Sequence, residues 1–371
     1  MRPTYLEVNL PQLKQNLENI RAHVQGAKVM PMVKANAYGH GIEGVAPFIE
    51  PYVDYFGVAL VEEAIQLRAL GITKPILVAG GTLIEQLPLF LEHDLILTAS
   101  SLDLLTAAEQ LADSTRKQLK VHLKIDTGME RVGVHEYEAE EFIKKPLACR
   151  HLDVEGIYTH LANSETLVSD RPGLVTASLQ LERFQEVLRF YEKNSLPMPM
   201  RHVCNSGGIL NLPEAHMDMV RPGVLFYGVY PERDIEKKVE VKPALTWKSR
   251  VAYSKVTLPG RSVSYGSLWQ AEARTRIVTI PCGYADGYFR RMTNHARVII
   301  NGKSYPQVGR ICMDQFMVNV GDDDVKVGDE VILFGGGIAA EELADWTGTN
   351  EYEVMTNISA RVPRVYVGAV Q

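Results

Sequence analysis

Residues 28–34 read Lys-Val-Met-Pro-Met-Val-Lys, a short apolar run that stops on a lysine. A run of this length suits a strand buried on both faces, as a parallel sheet requires. Seven more runs lie at residues 54–60, 75–79, 95–99, 119–125, 153–160, 201–204 and 217–227. Helical periodicity lies between them, as in Leu181, Phe184, Leu188 and Tyr191 at i, i+3, i+7 and i+10. A further helix is expected from Gln12, behind Pro11, a favoured first-turn residue. Eight strands separated by helices predict an α/β fold of the (β/α)8 barrel type. A doubly wound open sheet would place a Gly-x-Gly-x-x-Gly turn after an early strand, and none is found.

The pattern changes after the charged segment 232–242. From Pro243 the chain is strand-like, at 247–256, 276–280, 297–300, 316–320 and 330–334. Turn signals separate these runs: Pro259-Gly260, Asn301-Gly302 and the glycines 335–337. One helix is expected over 338–346. The expected organisation is a barrel domain over 1–236 and a mostly β domain over 237–371, with the first residues pairing with the second domain.

Composition narrows the function. With 371 residues, 46% hydrophobic and 23% charged, the chain is an ordinary globular protein long enough for a sizeable core. A net charge of −6 gives no electrostatic footprint for nucleic acid. Cys149, Cys204, Cys282 and Cys312 are widely spaced, which argues against a disulfide framework and a zinc site and points to a reducing cytoplasm. The ten histidines form no His-x-x-x-His pair with an intervening glutamate, so no metal is expected. Neither a secretory signal nor a run of about 20 apolar residues is found, so no membrane association is expected.

Catalytic groups of a barrel gather at the C-terminal ends of its strands. Lys34 directly follows the first run, where its amine could condense with an aldehyde if burial lowers its pKa from about 10.4. By position alone a solvated lysine capping the strand is the more ordinary reading. Cys204-Asn205-Ser206-Gly207-Gly208, after the seventh run, is a turn suited to phosphate, which barrels often bind after strands seven and eight.

The stretch Val33-Lys34-Ala35-Asn36-Ala37-Tyr38-Gly39-His40-Gly41 resembles the cofactor-lysine signature of the alanine racemases, fold-type III enzymes that use pyridoxal 5'-phosphate. Further blocks recur in the family's order: residues 124–133, Thr159-His160, Asn205-Ser206, 221–223, Ser264-Tyr265-Gly266, 283–287, 309–314 and 361–364. The resemblance implies a barrel, a C-terminal β domain and a head-to-tail homodimer that interconverts L- and D-alanine and supplies D-alanine for peptidoglycan.

It also implies roles. Lys34 would anchor the cofactor and serve as one base. Tyr265, reaching in from the other subunit, would be the second. Two opposed bases suit an inversion, because one proton leaves one face of Cα and another returns to the opposite face. His160 would hydrogen-bond that tyrosine, whose phenol ordinarily titrates near 10. Tyr38, Asn205, Ser206, Gly223 and Val224 would hold the cofactor, its phosphate above all. Arg221 would face the pyridine nitrogen. A guanidinium stays protonated and leaves that nitrogen bare, which weakens the ring as an electron sink and favours racemisation over transamination. Arg131 would lie near the substrate carboxylate, oriented by Lys124, a lysine the family often carbamylates. Tyr284 and Met313 would come from the partner and narrow the entrance, favouring a small amino acid. Ala360 departs from family members that place a phosphate-binding tyrosine there.

Three other functions fit less well. A serine or broad-specificity racemase of the same fold differs only in the side chain admitted. A related decarboxylase would carry a Cys-Asp/Glu-x-x-Asp motif, and none is found. A cofactor-binding barrel without catalysis would not need the second domain and its Tyr265.

Overall fold

The computed structural model describes residues 2–167, 171 and 173–368 and divides into two compact units. In the first, residues 13–37 and 42–242, eight parallel strands form one hydrogen-bonded path among the described residues, with the two-residue Val134–His135 pairing parallel beside the fifth. They are Lys28–Val29, Phe56–Val58, Ile76–Val78, Ile96–Ala99, Leu119–Asp126, Leu152–Tyr158, Met200–His202 and Met219–Val220. The first pairs with the eighth, and the order then descends to the second. A parallel bridge between Met32 and Gly57 closes the ring. There the Gly57 N–H donates to the Pro31 carbonyl at 3.1 Å and the Val33 N–H to the Gly57 carbonyl at 2.8 Å. The expected (β/α)8 barrel is what the chain forms.

Its strands are apolar because both of their faces are covered. Phe56–Val58, Ile76–Val78 and Ile96–Ala99 are buried at every position. The helix Ala177–Lys193 buries Leu181, Phe184, Leu188 and Tyr191, the residues whose spacing announced it. Its Thr176 cap accepts the Leu179 N–H, and Ser101 likewise caps Leu102–Thr115 through Leu104. The eighth strand is shorter than the apolar run 217–227 predicts. The strand ends at Val220, one further bond runs from the Met32 N–H to the Pro222 carbonyl at 2.9 Å, Pro222-Gly223 turns the chain, and Val224–Tyr227 is a 3-10 helix.

The second unit holds the chain up to Gln12, Tyr38–Gly41 and the chain from Pro243. Its nine-stranded sheet runs Tyr253–Thr257, Thr275–Ile280, Phe316–Gly321, Lys303–Val308, Arg297–Ile300, Glu330–Phe334, Leu245–Arg250, Tyr5–Asn9, Arg364–Val367. The run 247–256, expected as one strand, is two. Leu245–Arg250 pairs with Glu330–Phe334, whereas Tyr253–Thr257 pairs with Thr275–Ile280, and the chain bends at Val251-Ala252 between them. Three strands carried no clear signal. Tyr5–Asn9 pairs with Leu245–Arg250 and Arg364–Val367. Lys303–Val308 is polar at most outward positions and contains Pro306. Trp247 is buried with its ring edge-on to Tyr288, which stacks on Phe316 at 4.5 Å. No helix among the described residues is long and apolar enough to cross a membrane.

Candidate active site

Lys34 ends the extension of the first barrel strand, and the backbone beyond it takes a rare conformation. Ala35, Asn36, Ala37 and Tyr38 have φ values of 51°, 56°, 54° and 50°. Consecutive residues in the left-handed region cost about 1–2 kcal/mol each, so the surrounding structure must hold this turn. Part of the hold is local. The Glu63 carboxylate accepts the Ala35 N–H at 2.6 Å and, through its other oxygen, the N–H groups of Ala59 and Leu60. Asn36 accepts the Ile42 N–H at 2.8 Å. Gly39 continues at φ 80°, and a Cβ there would lie 2.2 Å from the Met355 carbonyl oxygen, so only glycine fits. Tyr38 is buried with its ring 6.1 Å from that of Tyr352.

The Lys34 amine is half-buried. Burial and the Arg131 charge push its pKa below that of an ordinary lysine, and Glu63 opposes them. An amine so shifted is closer to the neutral form that can attack a carbonyl.

Arg131 stands on the turn after the fifth strand, and Asp126 builds that turn. Asp126 Oδ1 accepts the N–H groups of Gly128, Met129 and Glu130 at 2.8–3.1 Å, and Oδ2 accepts that of Arg131 at 3.1 Å. Burial pushes the carboxyl up, but these backbone donors and Lys124 outweigh it and hold its pKa below the usual value. Gly133 returns the chain against the strand, since a Cβ there would meet the Lys124 carbonyl at 2.8 Å. Lys124 points inward. It is buried, with Nζ 3.1 Å from the Ile125 carbonyl and 5.0 Å from the Tyr158 ring centre. Burial and the charges of Arg221 and Arg131 push its pKa down to about 7, despite Asp126.

Arg221 follows the eighth strand and is buried. Its Nη1 lies 2.8 Å from His202 Nδ1, and its Nη2 donates to the carbonyls of Thr159 and Val203, both at 2.8 Å. Burial pushes it down to about 10, which leaves it protonated at neutral pH. His160 Nδ1 lies 3.4 Å from the same Nη2. Both hydrogens of Nη2 already serve the Thr159 and Val203 carbonyls, so this longer contact is electrostatic. Burial and Arg221 hold the His160 pKa well below the usual histidine value. Gln180 fixes this corner, donating to the His160 carbonyl at 3.0 Å and to Thr127 Oγ1 at 3.2 Å.

After the seventh strand, Asn205 caps the helix Ser206–Asn211 by accepting the Gly208 N–H, and its Nδ2 donates to the Leu161 carbonyl at 3.3 Å. The buried Ser206 Oγ accepts the N–H groups of Gly223 at 3.0 Å and Leu225 at 3.2 Å. One hydroxyl thus joins the turns after strands seven and eight, beside the first turn of Val224–Tyr227. Short donors and backbone N–H groups in such a turn form an anion-binding set.

In the second unit, Tyr265, Tyr284 and Met313 line one open cleft of about 640 Å3. Tyr265 is 71% exposed. The backbone around it is left-handed, with φ of 68°, 72° and 49° at Ser264, Gly266 and Ser267, and Ser264 Oγ donates to the Arg310 carbonyl at 2.6 Å. Ala360 carries no polar side chain. Motif and spacing miss Glu63, Asp126 and Gln180 as site residues; only the position of Asp126 at a strand end could have drawn notice.

The chain matches the sequence profile described as alanine racemase, N-terminal domain, over residues 8–231, and that described as alanine racemase, C-terminal domain, over 244–366. It is 43% identical over 374 residues to an alanine racemase of Carboxydothermus hydrogenoformans, spanning 99% of this chain and 100% of that one. Among solved structures, the alanine racemase of Clostridium difficile 630 has a TM-score of 0.92 at 37% identity, covering 99% of this chain and 96% of that one. The alanine racemase of Bacillus anthracis with bound L-Ala-P has a TM-score of 0.90 at 32% identity, covering 100% of this chain and 96% of that one.

Asp126→Asn replaces a charged acceptor of four backbone donors by a neutral one, and should cost about 1–3 kcal/mol at neutral pH. The folded-state pKa is depressed, so the wild-type advantage is full above the unfolded value of about 3.9 and is lost as pH falls through the folded value. Denaturant unfolding at several pH values should show the gap between the two proteins closing on acidification. A constant gap would mean the charge is not what orders the turn.

Proposed function

This chain belongs to the alanine racemase family, and on that premise we propose how its residues interconvert L-alanine and D-alanine with pyridoxal 5'-phosphate. The donor set fits the cofactor. Lys34 supplies an amine of lowered pKa for the aldehyde. Ser206, the Gly223 and Val224 backbone and the Tyr38 hydroxyl would take the phosphate, leaving no role to Ala360. Asn205 contributes by capping the helix that carries Ser206. Arg221, protonated and buried, would donate to the pyridine nitrogen. When bound, pyridoxal phosphate supplies the conjugated system that makes the alanine Cα proton acidic.

The chain's own work is to place two bases on opposite faces of Cα. Lys34 takes the proton from D-alanine and returns one to form it. The partner subunit's Tyr265 does the same for L-alanine. A phenol needs help as a base, and His160, held neutral by burial and Arg221, offers a ring N–H to the phenolate oxygen. Arg131 holds the substrate carboxylate. A carbamate on Lys124 would turn a competing cation into an anion that orients Arg131. An amine titrating near 7 is neutral often enough to take up carbon dioxide. Tyr284 and Met313 of the partner narrow the way in, which restricts the side chain to one about the size of methyl. The reading therefore requires a head-to-tail homodimer. We place it in the cytoplasm, where four free cysteines are at home, supplying D-alanine for peptidoglycan.

The observation that carries this account is Lys34: a strand-end amine, half-buried, shifted toward its neutral form and continued by a strained left-handed turn. The test is incubation with each alanine enantiomer in deuterated water, tracking Cα exchange and optical rotation together. Lys34→Ala should abolish both. In Tyr265→Ala, net racemisation must slow equally in both directions, because the two enantiomers have the same free energy. Exchange should not: D-alanine keeps exchanging with retention through Lys34, while exchange into L-alanine falls at least about tenfold further. Equal loss of exchange from both enantiomers would refute the assignment of faces.

A further inference from the structure

The barrel interior contains a chain of polar groups that take no part in moving the Cα proton. His122 and His202 sit within the fifth and seventh strands, both fully buried. Their hydrogen bonds can be read in one direction only. Arg221 has no acceptor, so His202 Nδ1, 2.8 Å from its Nη1, must accept. Neutral His202 then carries its proton on Nε2, which lies 2.9 Å from His122 Nδ1. His122 Nδ1 accepts in turn, which puts the His122 proton on Nε2, 3.3 Å from Glu155 Oε2. Glu155 Oε1 accepts the Tyr55 phenol at 2.9 Å. Burial and the Arg221 charge keep both imidazoles neutral; Glu155 opposes them at His122 without prevailing.

The backbone is shaped around this chain. A register shift between Val121 and His122 sets His122 opposite Gly156 on the neighbouring strand. A Cβ on Gly156 would fall 2.7–2.8 Å from three atoms of the His122 ring, so the glycine makes room for the imidazole. The Tyr158 ring stacks on His202 at 4.5 Å and 8° and locks its plane. The two charges also differ in setting. Arg221 is buried, whereas the Glu155 side chain keeps 27% of its exposure and stays hydrated. Burial pushes the Glu155 carboxyl up, but the His122 and Tyr55 hydrogen bonds outweigh it, so a carboxylate there remains ionised and counters a cation deep in the barrel.

We propose that Glu155 is a positioning residue of the racemase: its carboxylate, through the fixed order Arg221→His202→His122→Glu155, holds Arg221 in orientation and balances its charge. The proposal rests on the proposed function, in which Arg221 meets the pyridine nitrogen. Glu155 touches neither substrate nor cofactor, and acts by fixing the guanidinium. Tyr55 closes the far end by occupying the second carboxylate oxygen.

The test has two arms on the holoenzyme. In protein labelled with nitrogen-15 in its histidine rings, NMR should show His122 and His202 of the wild type as neutral Nε2–H tautomers. In Glu155→Leu the His122 Nε2 resonance should move, having lost its acceptor. In the kinetic arm, Glu155→Gln keeps a hydrogen-bond acceptor and loses the charge. It should lower kcat in both directions about tenfold, with KM for alanine within about twofold and cofactor content and Tm unchanged. Glu155→Leu should lower it further. An Nδ1–H or doubly protonated ring at either histidine would overturn the relay. A kcat within about twofold of wild type in both variants would reduce Glu155 to packing. The tautomers are read independently of turnover, so failure of the relay and failure of the racemase reading give different results.

Discussion

Four cationic side chains, Lys34, Lys124, Arg131 and Arg221, come from the strands and strand-end turns of one barrel, and burial together with their mutual repulsion holds its lysines below the usual pKa. Burial alone would lower the pKa of each amine, and the arginines lower it further: Arg131 acts on Lys34, and Arg221 and Arg131 act on Lys124. The two arginines cannot escape by losing a proton, so the lysines carry the cost. The result is amines of unusual reactivity and a strong demand for anions. Part of that demand is met inside the chain by Glu63, Asp126 and Glu155. The remainder suits a phosphate, a substrate carboxylate and a carbamate.

The backbone around these groups is ordered by carboxylates rather than by apolar packing alone. Glu63 gathers the N–H groups of Ala35, Ala59 and Leu60, and Asp126 gathers four more on the turn that carries Arg131. Each fixes a turn that regular secondary structure would leave loose. Ser206 does the same with a hydroxyl between the last two barrel turns. The left-handed turn after Lys34 is the most strained product of this ordering, and its successive positive φ values show how far local propensity is overridden at the site.

Much of the architecture was legible in the order of residues. The eight barrel strands announce themselves because a parallel strand covered on both faces must be apolar throughout, and Lys34 stands out as the charge that ends the first. Strand lengths were not legible: the apolar run 217–227 continues past Val220 because the turn and 3-10 helix after it are also buried, and burial does not distinguish a ladder from a turn. Lys303–Val308 escaped because a half-exposed strand looks like a loop without its partners, whereas the first residues, expected to pair with the second domain, do so as Tyr5–Asn9. The candidate site residues were named through motif and resemblance. Glu63, His122, Glu155 and His202 were not: the polar chain joins residues far apart in sequence, with His122 33 residues from Glu155 and 80 from His202, and Glu63 reaches the turn after Lys34 from 28 residues away. A histidine inside an apolar strand, as at Val121-His122-Leu123, was the one visible sign of a polar chain within the core.

On the proposed reading, all of the chemistry depends on one covalent attachment at the first strand. Reduction of the cofactor-loaded enzyme with borohydride, then proteolysis and mass spectrometry, locates it directly. The account requires the pyridoxyl group on the peptide containing Lys34, in about one copy per chain. A label on Lys124 or on any other lysine, or a cofactor that dialyses away unlabelled after reduction, would contradict it.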